Sequence, residues 1–156
     1  MDDRMKQAVG LALAEVFETM FFTLLEPMDA IPSRAEWPAG KDFVAAEISY
    51  VGGGKSGELR FYFPLTLARS IAANFLGEPE GELSEGQIVD TVRETVNMAV
   101  GSMLGRIDPA GECALAIPQA RMVGDFTPEA IIADLGLYVF RTSFGYLWLV
   151  YDMVTA

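Results

Sequence analysis

The chain has no histidine among its 156 residues. That removes serine-histidine and cysteine-histidine catalysis, histidine zinc sites and the usual proton shuttle near neutral pH. Any chemistry must run on carboxylates, amides or a metal brought by another molecule. A single cysteine, Cys113, allows no internal disulfide. Positive charge is also scarce, with 11 basic against 22 acidic residues and a formal charge of -11. Such a surface repels phosphate backbones and anionic lipid at long range, so nucleic acid is not an expected partner.

The chain also lacks an uninterrupted membrane-length apolar run. The longest candidate, AVGLALAEVFETMFFTLL from Ala8 to Leu25, is broken by Glu15 and Glu18. A buried, partly amphipathic helix fits better than a span, and no membrane insertion is expected. The acidic start MDDRMK has no positive n-region of a secretory signal, which points to a cytoplasmic protein. What the chain does contain, 51% hydrophobic and 21% charged residues, is a globular composition of a length suited to one domain with one core.

Helical periodicity runs from about Met5 to Leu25 and stops at Glu26-Pro27. The segment MDAIPSRAEWPAG carries turn signals at Pro32, Pro38 and Gly40, with room for a short edge strand at Met28 to Ile31. Two β-rich runs, Phe43 to Val51 and Glu58 to Phe63, flank GGGKSG and predict a hairpin. Leu65 to Leu76 returns to helical period, and GEPEGEL reads as a polar linker. Ser84 with Gln87 forms a capping-box pattern that opens a second long helix, running to about Leu104. Three strands are expected after it: roughly Glu112 to Pro118, Ala133 to Thr142 and Tyr146 to Met153.

The two long helices carry a weak internal repeat. Glu15-Val-Phe-Glu18-Thr-Met-Phe21 lies over Thr91-Val-Arg-Glu94-Thr-Val-Asn97, with Glu18-Thr19 falling on Glu94-Thr95. Each helix precedes β-rich segments. The expected fold class is therefore α+β: two pseudo-repeated α-β-β-β halves, about 5–63 and 84–154, with long helices packed on a largely antiparallel sheet. A helix and linker join the halves, and residues 1–156 are read as one domain.

On the second long helix, Ile88, Val89, Val92, Val96, Ala99, Val100 and Met103 make one broad apolar face. Asp90, Glu94, Asn97 and Gly101 follow at i, i+4, i+7 and i+11 on the opposite side, a spacing that stacks them along one ridge. A solvated polar face is the ordinary explanation of such a ridge. Yet asparagine mid-helix costs roughly 0.5 kcal/mol relative to alanine, and glycine about 1. The matching stripe on the first helix is Ala14, Glu18, Phe21 and Leu25, so the glutamate recurs but the amide does not.

The run Asp90-x-x-x-Glu94-x-x-Asn97 resembles the D/S-x3-E-x2-N signature of the CheC, CheX and FliY chemotaxis phosphatases. VFETMFF near the start and SGELRFYFPLTLARSIAANFLGE before the second long helix add to the likeness, which spans about Val9 to Tyr151. CheC- and FliY-type members usually carry two such sites and CheX one, in the second half, so Phe21 in place of asparagine points to CheX. Twenty residues separate Asn97 from Pro118, slightly fewer than the family spacing, so the loop after the helix is expected to differ.

The resemblance implies hydrolysis of the aspartyl phosphate of a CheY-like response-regulator receiver, whose own Mg²⁺ serves the reaction, with no cofactor held by this chain. By the same likeness Asn97 positions a water, which its amide can do as acceptor and donor. Glu94 pairs with the receiver's active-site lysine, and Asp90 gives a supporting hydrogen bond. Gly101 leaves space for the partner to approach. The alternative is a non-catalytic module that binds a receiver or dimerises through the same helix. Phe17, Phe21 and Phe22 widen the apolar face of the first helix; core burial explains this, and a homodimer contact is the second use, as CheX-type members are known as dimers.

Three other signals are set aside. GGGKS at Gly52 to Ser56 is similar to a phosphate loop, but joins two apparent strands instead of opening a helix. Cys113 sits beside Ala114 and Leu115 with no histidine to activate it, so it reads as a small core residue. The acidic GEPEGELSEG lacks the ordered spacing of a calcium loop.

Overall fold

The computed structural model describes residues 3–37, 40 and 42–155; the turn expected at Pro38 lies outside them. Helix α1 spans Asp3–Phe21, four residues short of the predicted end. Phe22 takes a left-handed φ of 53°, the Thr23 amide turns back to the Phe17 carbonyl at 3.1 Å, and the Thr23 hydroxyl donates to the Phe21 carbonyl at 3.0 Å. These bonds satisfy carbonyls that the helix end leaves open. Apolar periodicity alone cannot show that stop, because Leu25 is also buried.

The chain then pairs as β1 (Glu26–Pro27), two residues long. Met28 to Ile31 does not form the short edge strand for which the sequence leaves room: the pairing falls just before it, and the Met28 amide continues it, donating to the Val139 carbonyl at 2.9 Å. Strands β2 (Phe43–Gly52) and β3 (Lys55–Pro64) form the expected hairpin, tighter than GGGKSG implied. Gly53 and Gly54 turn it with φ of 60° and 76°, angles a side chain would resist. No helix follows this turn, which accords with setting the phosphate loop aside.

Helix α2 covers Leu65–Leu76, as its periodicity predicts, and stops at Gly77 with φ 67°. Part of the polar linker coils into a 3-10 turn at Glu80–Glu82. Helix α3, Glu85–Ile107, opens on the predicted capping box: the Gln87 amide donates to Ser84 Oγ at 3.1 Å and the Ser84 amide to Gln87 Oε1 at 2.8 Å. It runs one turn beyond the expected end, and its C-terminal loop is held by Asp108, whose carboxylate accepts from the Cys113 amide at 2.8 Å.

Beyond α3 the predicted strand Glu112 to Pro118 is two strands, β4 (Ala114–Leu115) and β5 (Gln119–Val123), both on β2. Proline has no amide to donate, so the ladder breaks around Pro118 and resumes after it. Strand β6 is Leu137–Thr142, shorter than predicted because a 3-10 turn at Pro128–Ala130 and a turn at Asp134 to Gly136 take up the approach. Strand β7 is Gly145–Thr155.

All pairings are antiparallel, in the order β1-β6-β7-β3-β2-β4, with β5 also on β2. Exchanging β3 with β7, β2 with β6, and β1 with the β4/β5 edge reverses this order onto itself. The pseudo-repeated plan is thus built into the sheet, with β3 and β7 at its centre. Alternation does the rest: Val44, Ala46, Ile48 and Tyr50 of β2 face the helices with Phe61, Phe63 and Leu149. On the other face Phe43, Trp148 and Val150 pack under Phe126 and Ile131. Helices α1 and α3 pack on one another and α2 on α3, so α3 is held from two sides and shows one ridge outward.

Candidate functional site

Ile88, Val92, Val96, Ala99, Val100 and Met103 of α3 are buried, as their spacing predicts, and Val89 is half-buried. Thr91 and Thr95 are buried too, and their hydroxyls donate back to the carbonyls of Gln87 and Thr91 at 2.9 and 2.7 Å. With that face committed to the core, rotation of the helix is set, and the opposite ridge must face outward. Asp90, Glu94 and Gly101 are exposed and Asn97 is half-buried.

Asn97 and Glu94 stand one turn apart without intramolecular duties. Among the described residues, neither the Asn97 amide nor the Glu94 carboxylate has a hydrogen-bond or ion-pair partner. An amide placed this way can accept a hydrogen bond from water through its carbonyl and donate through its NH₂. Gly101 is not demanded by internal packing: a Cβ there would meet Leu115 Cδ1 at 3.8 Å, an ordinary contact. The glycine leaves the ridge low where a partner would approach.

Asp90 differs from these three. Arg93 Nη1 lies 2.5 Å from its carboxylate, an exposed i,i+3 ion pair. Arg93 was no candidate from motif reasoning, yet opposite charges at i,i+3 are a readable signal. Asp90 is thereby occupied within its own helix and is less available than Glu94.

The stripe on α1 has another fate. Glu18 is exposed, but Phe21 is fully buried, its ring 5.7 Å from Phe17 and 5.9 Å from Phe75. Leu25, also buried, lies beyond the helix end. The first half therefore presents a carboxylate with no amide beside it.

Cys113 is half-buried, with its sulfur 3.5 Å from the Gly52 carbonyl. Desolvation, with the Asp108 carboxylate nearby, pushes the thiol pKa up, which suppresses the reactive thiolate. Among the described residues no three acidic or cysteine side chains cluster to hold a metal, and no helix is long and apolar enough to cross a membrane.

A family model described as chemotaxis phosphatase CheX matches residues 44–131, from β2 through all of α3. The chain belongs to the CheX family. The CheC-like superfamily protein from Shewanella sp. PV-4 is 24% identical with a TM-score of 0.76, covering 99% of each chain. Chemotaxis protein CheX from Vibrio vulnificus is 21% identical at a TM-score of 0.74, over 99% of this chain and 100% of that one. A CheX-CheY-BeF3-Mg²⁺ complex from Borrelia burgdorferi gives 14% identity and a TM-score of 0.68 over 96% and 97%. At these identities the structures establish a shared CheC-like fold. No curated protein matches the chain.

Proposed function

We propose that this CheX-family chain is a phosphatase that hydrolyses the aspartyl phosphate of a CheY-like receiver, using the α3 ridge. The observation that carries the proposal is the pair Asn97 and Glu94, presented together on a helix fixed by its buried face and without a hydrogen-bond or ion-pair partner among the described residues. The Borrelia complex shows a CheX protein bound to CheY with BeF3 and Mg²⁺, a partner of the required kind.

Phosphoryl transfer depends on positioning and charge stabilisation more than on covalent help from the protein. The Asn97 carbonyl accepts a hydrogen bond from a water and holds it in line with the phosphorus. The water oxygen bonds to phosphorus as the bond to the aspartyl oxygen breaks, leaving a carboxylate and inorganic phosphate. Asn97 does not titrate at working pH, so it orients the water without acting as a base. Glu94 pairs with the receiver's active-site lysine and sets the register of the helix on the partner. Asp90, held by Arg93, stiffens the start of the ridge, and Gly101 admits the partner surface.

Mg²⁺ is assigned to the receiver. Asp90 is engaged with Arg93, and among the described residues no three acidic or cysteine side chains come together as a metal site of this chain would need. The halves at about 5–63 and 84–154 are read as one domain in which only the second carries a site.

The test is loss of acyl phosphate from candidate phosphorylated receivers in Mg²⁺, with and without the protein. Faster loss supports the proposal. Saturable binding to a receiver whose decay is unchanged would instead make the chain a non-catalytic adaptor for that receiver.

A further inference from the structure

The corner where α1 and α2 end is locked from inside and apolar outside. Phe21 is buried against Phe75, and Asn74 of α2 donates to the Phe21 carbonyl at 2.7 Å. Around this junction Phe22 is 83% exposed, Leu24 63%, Phe75 and Leu76 each 40%, and Met20 37%. Several large apolar side chains exposed around one junction mark interaction sites more often than apolar residues exposed singly do. Phe22 is also the one described residue other than glycine with a positive φ, 53°. That conformation is unfavourable for an aromatic residue, and here the ring gains no burial from it.

The two chain segments that form the corner carry charge of one sign. No lysine or arginine occurs between Gln7 and Ser33 or between Ser70 and Val92, the segments that hold α1's second half, its end, the end of α2 and the linker. Four acids of these segments are paired, Glu15 with Arg106, Glu26 with Arg141, Asp29 with Lys6 and Asp90 with Arg93, and Glu85 lies in the first turn of α3. Glu18, one turn before Phe22, and Glu78, Glu80 and Glu82, just after Leu76, are exposed and have no ion-pair partner among the described residues.

We propose that this corner docks a segment of another protein that places apolar side chains next to lysine or arginine. The apolar side chains cover Phe22, Leu24 and Phe75, and the cations meet the glutamate rim. A second copy of this chain is a poor occupant because it brings the same rim and a charge of -11. The proposal goes beyond the phosphatase reading and uses neither Glu94 nor Asn97.

Phe22→Gly separates binding from folding, since glycine suits the positive φ and the lost ring was exposed. A library of random peptides displayed on phage is selected on the full-length wild-type protein and counter-selected on Phe22→Gly. The expected peptides combine apolar residues with lysine or arginine. Their affinity falls about tenfold or more with Phe22→Gly, and similarly with Glu80→Lys plus Glu82→Lys. Hydrolysis of receiver phosphate stays unchanged in Phe22→Gly, so this test stands apart from that of the phosphatase site. The proposal is overturned if no peptide is enriched, if enriched peptides lack basic residues, or if Phe22→Gly binds them equally well. Sedimentation showing a wild-type dimer that Phe22→Gly splits would also overturn it, by assigning the corner to a second copy.

Discussion

Helices α1 and α3 begin from the same local recipe and end in opposite uses. Both carry Glu-Thr at matching places, in Glu18-Thr19 and Glu94-Thr95, on helices that pack against each other under a pseudo-symmetric sheet. Three residues after the glutamate, α1 has a phenylalanine sunk into the core and a helix that stops. At that place α3 has a half-buried amide on its outward ridge and runs ten residues further. A repeat can keep its architecture while only one copy keeps a surface fit for chemistry.

The difference is sharpest at Phe21. Phe21→Asn should not restore a second site; it should leave a cavity and a buried amide, costing about 3–5 kcal/mol in denaturant unfolding. Near-native stability with new phosphatase activity would erase the contrast between the helices. A smaller effect separates the paired glutamates. Glu94→Gln is expected to weaken receiver binding about tenfold, with reduced salt dependence, because a charged contact to the receiver is lost. Glu18→Gln on α1 should leave receiver binding unchanged, and equal losses in both would show that general acidity, not the ridge, drives association.

Gly101→Ala tests whether the low point of the ridge serves a partner. The helix should gain up to about 1 kcal/mol, since alanine is the better helix former and the added Cβ meets Leu115 at an ordinary distance. Receiver affinity should nonetheless fall a few-fold; a gain in both would make the glycine incidental.

The smallest effect concerns the two helix ends. That of α1 is closed by Asn74 and by Thr23, neither of which titrates near neutral pH, whereas the loop after α3 is tied by Asp108. The Cys113 amide, aided by that of Glu112, stabilises the ionised carboxylate and holds its pKa below the usual aspartate value. Its contribution is therefore full above that usual value and is lost as pH falls through the depressed one. Asp108→Asn should be less stable than wild type at neutral pH, with the gap closing in strong acid, as read by urea melts across pH.

Much of α3 was legible in the sequence because three signals agree there: the capping box at Ser84 and Gln87, the valine periodicity, and a polar ridge opposite it. The β2-β3 hairpin was legible through its alternation and glycines. What was hidden depends on contacts distant in sequence. The stop at Phe21 needs Asn74 from α2, 53 residues away, and a positive φ that no local propensity favours. Strand β5 was missed because Pro118 looked like an end, whereas β2 supplies a partner on both sides of it. The ridge residues could be placed from spacing, but their lack of partners, and the engagement of Asp90 by Arg93, needed the folded side chains.

The central claim is that the Asn97 amide, and not merely the helix that presents it, speeds hydrolysis. The direct measurement is single-turnover loss of aspartyl phosphate from a receiver saturated with wild type or Asn97→Ala, with binding measured in parallel. The account predicts retained binding and an acceleration reduced by on the order of 10²-fold. Retained binding with undiminished acceleration in Asn97→Ala would contradict it.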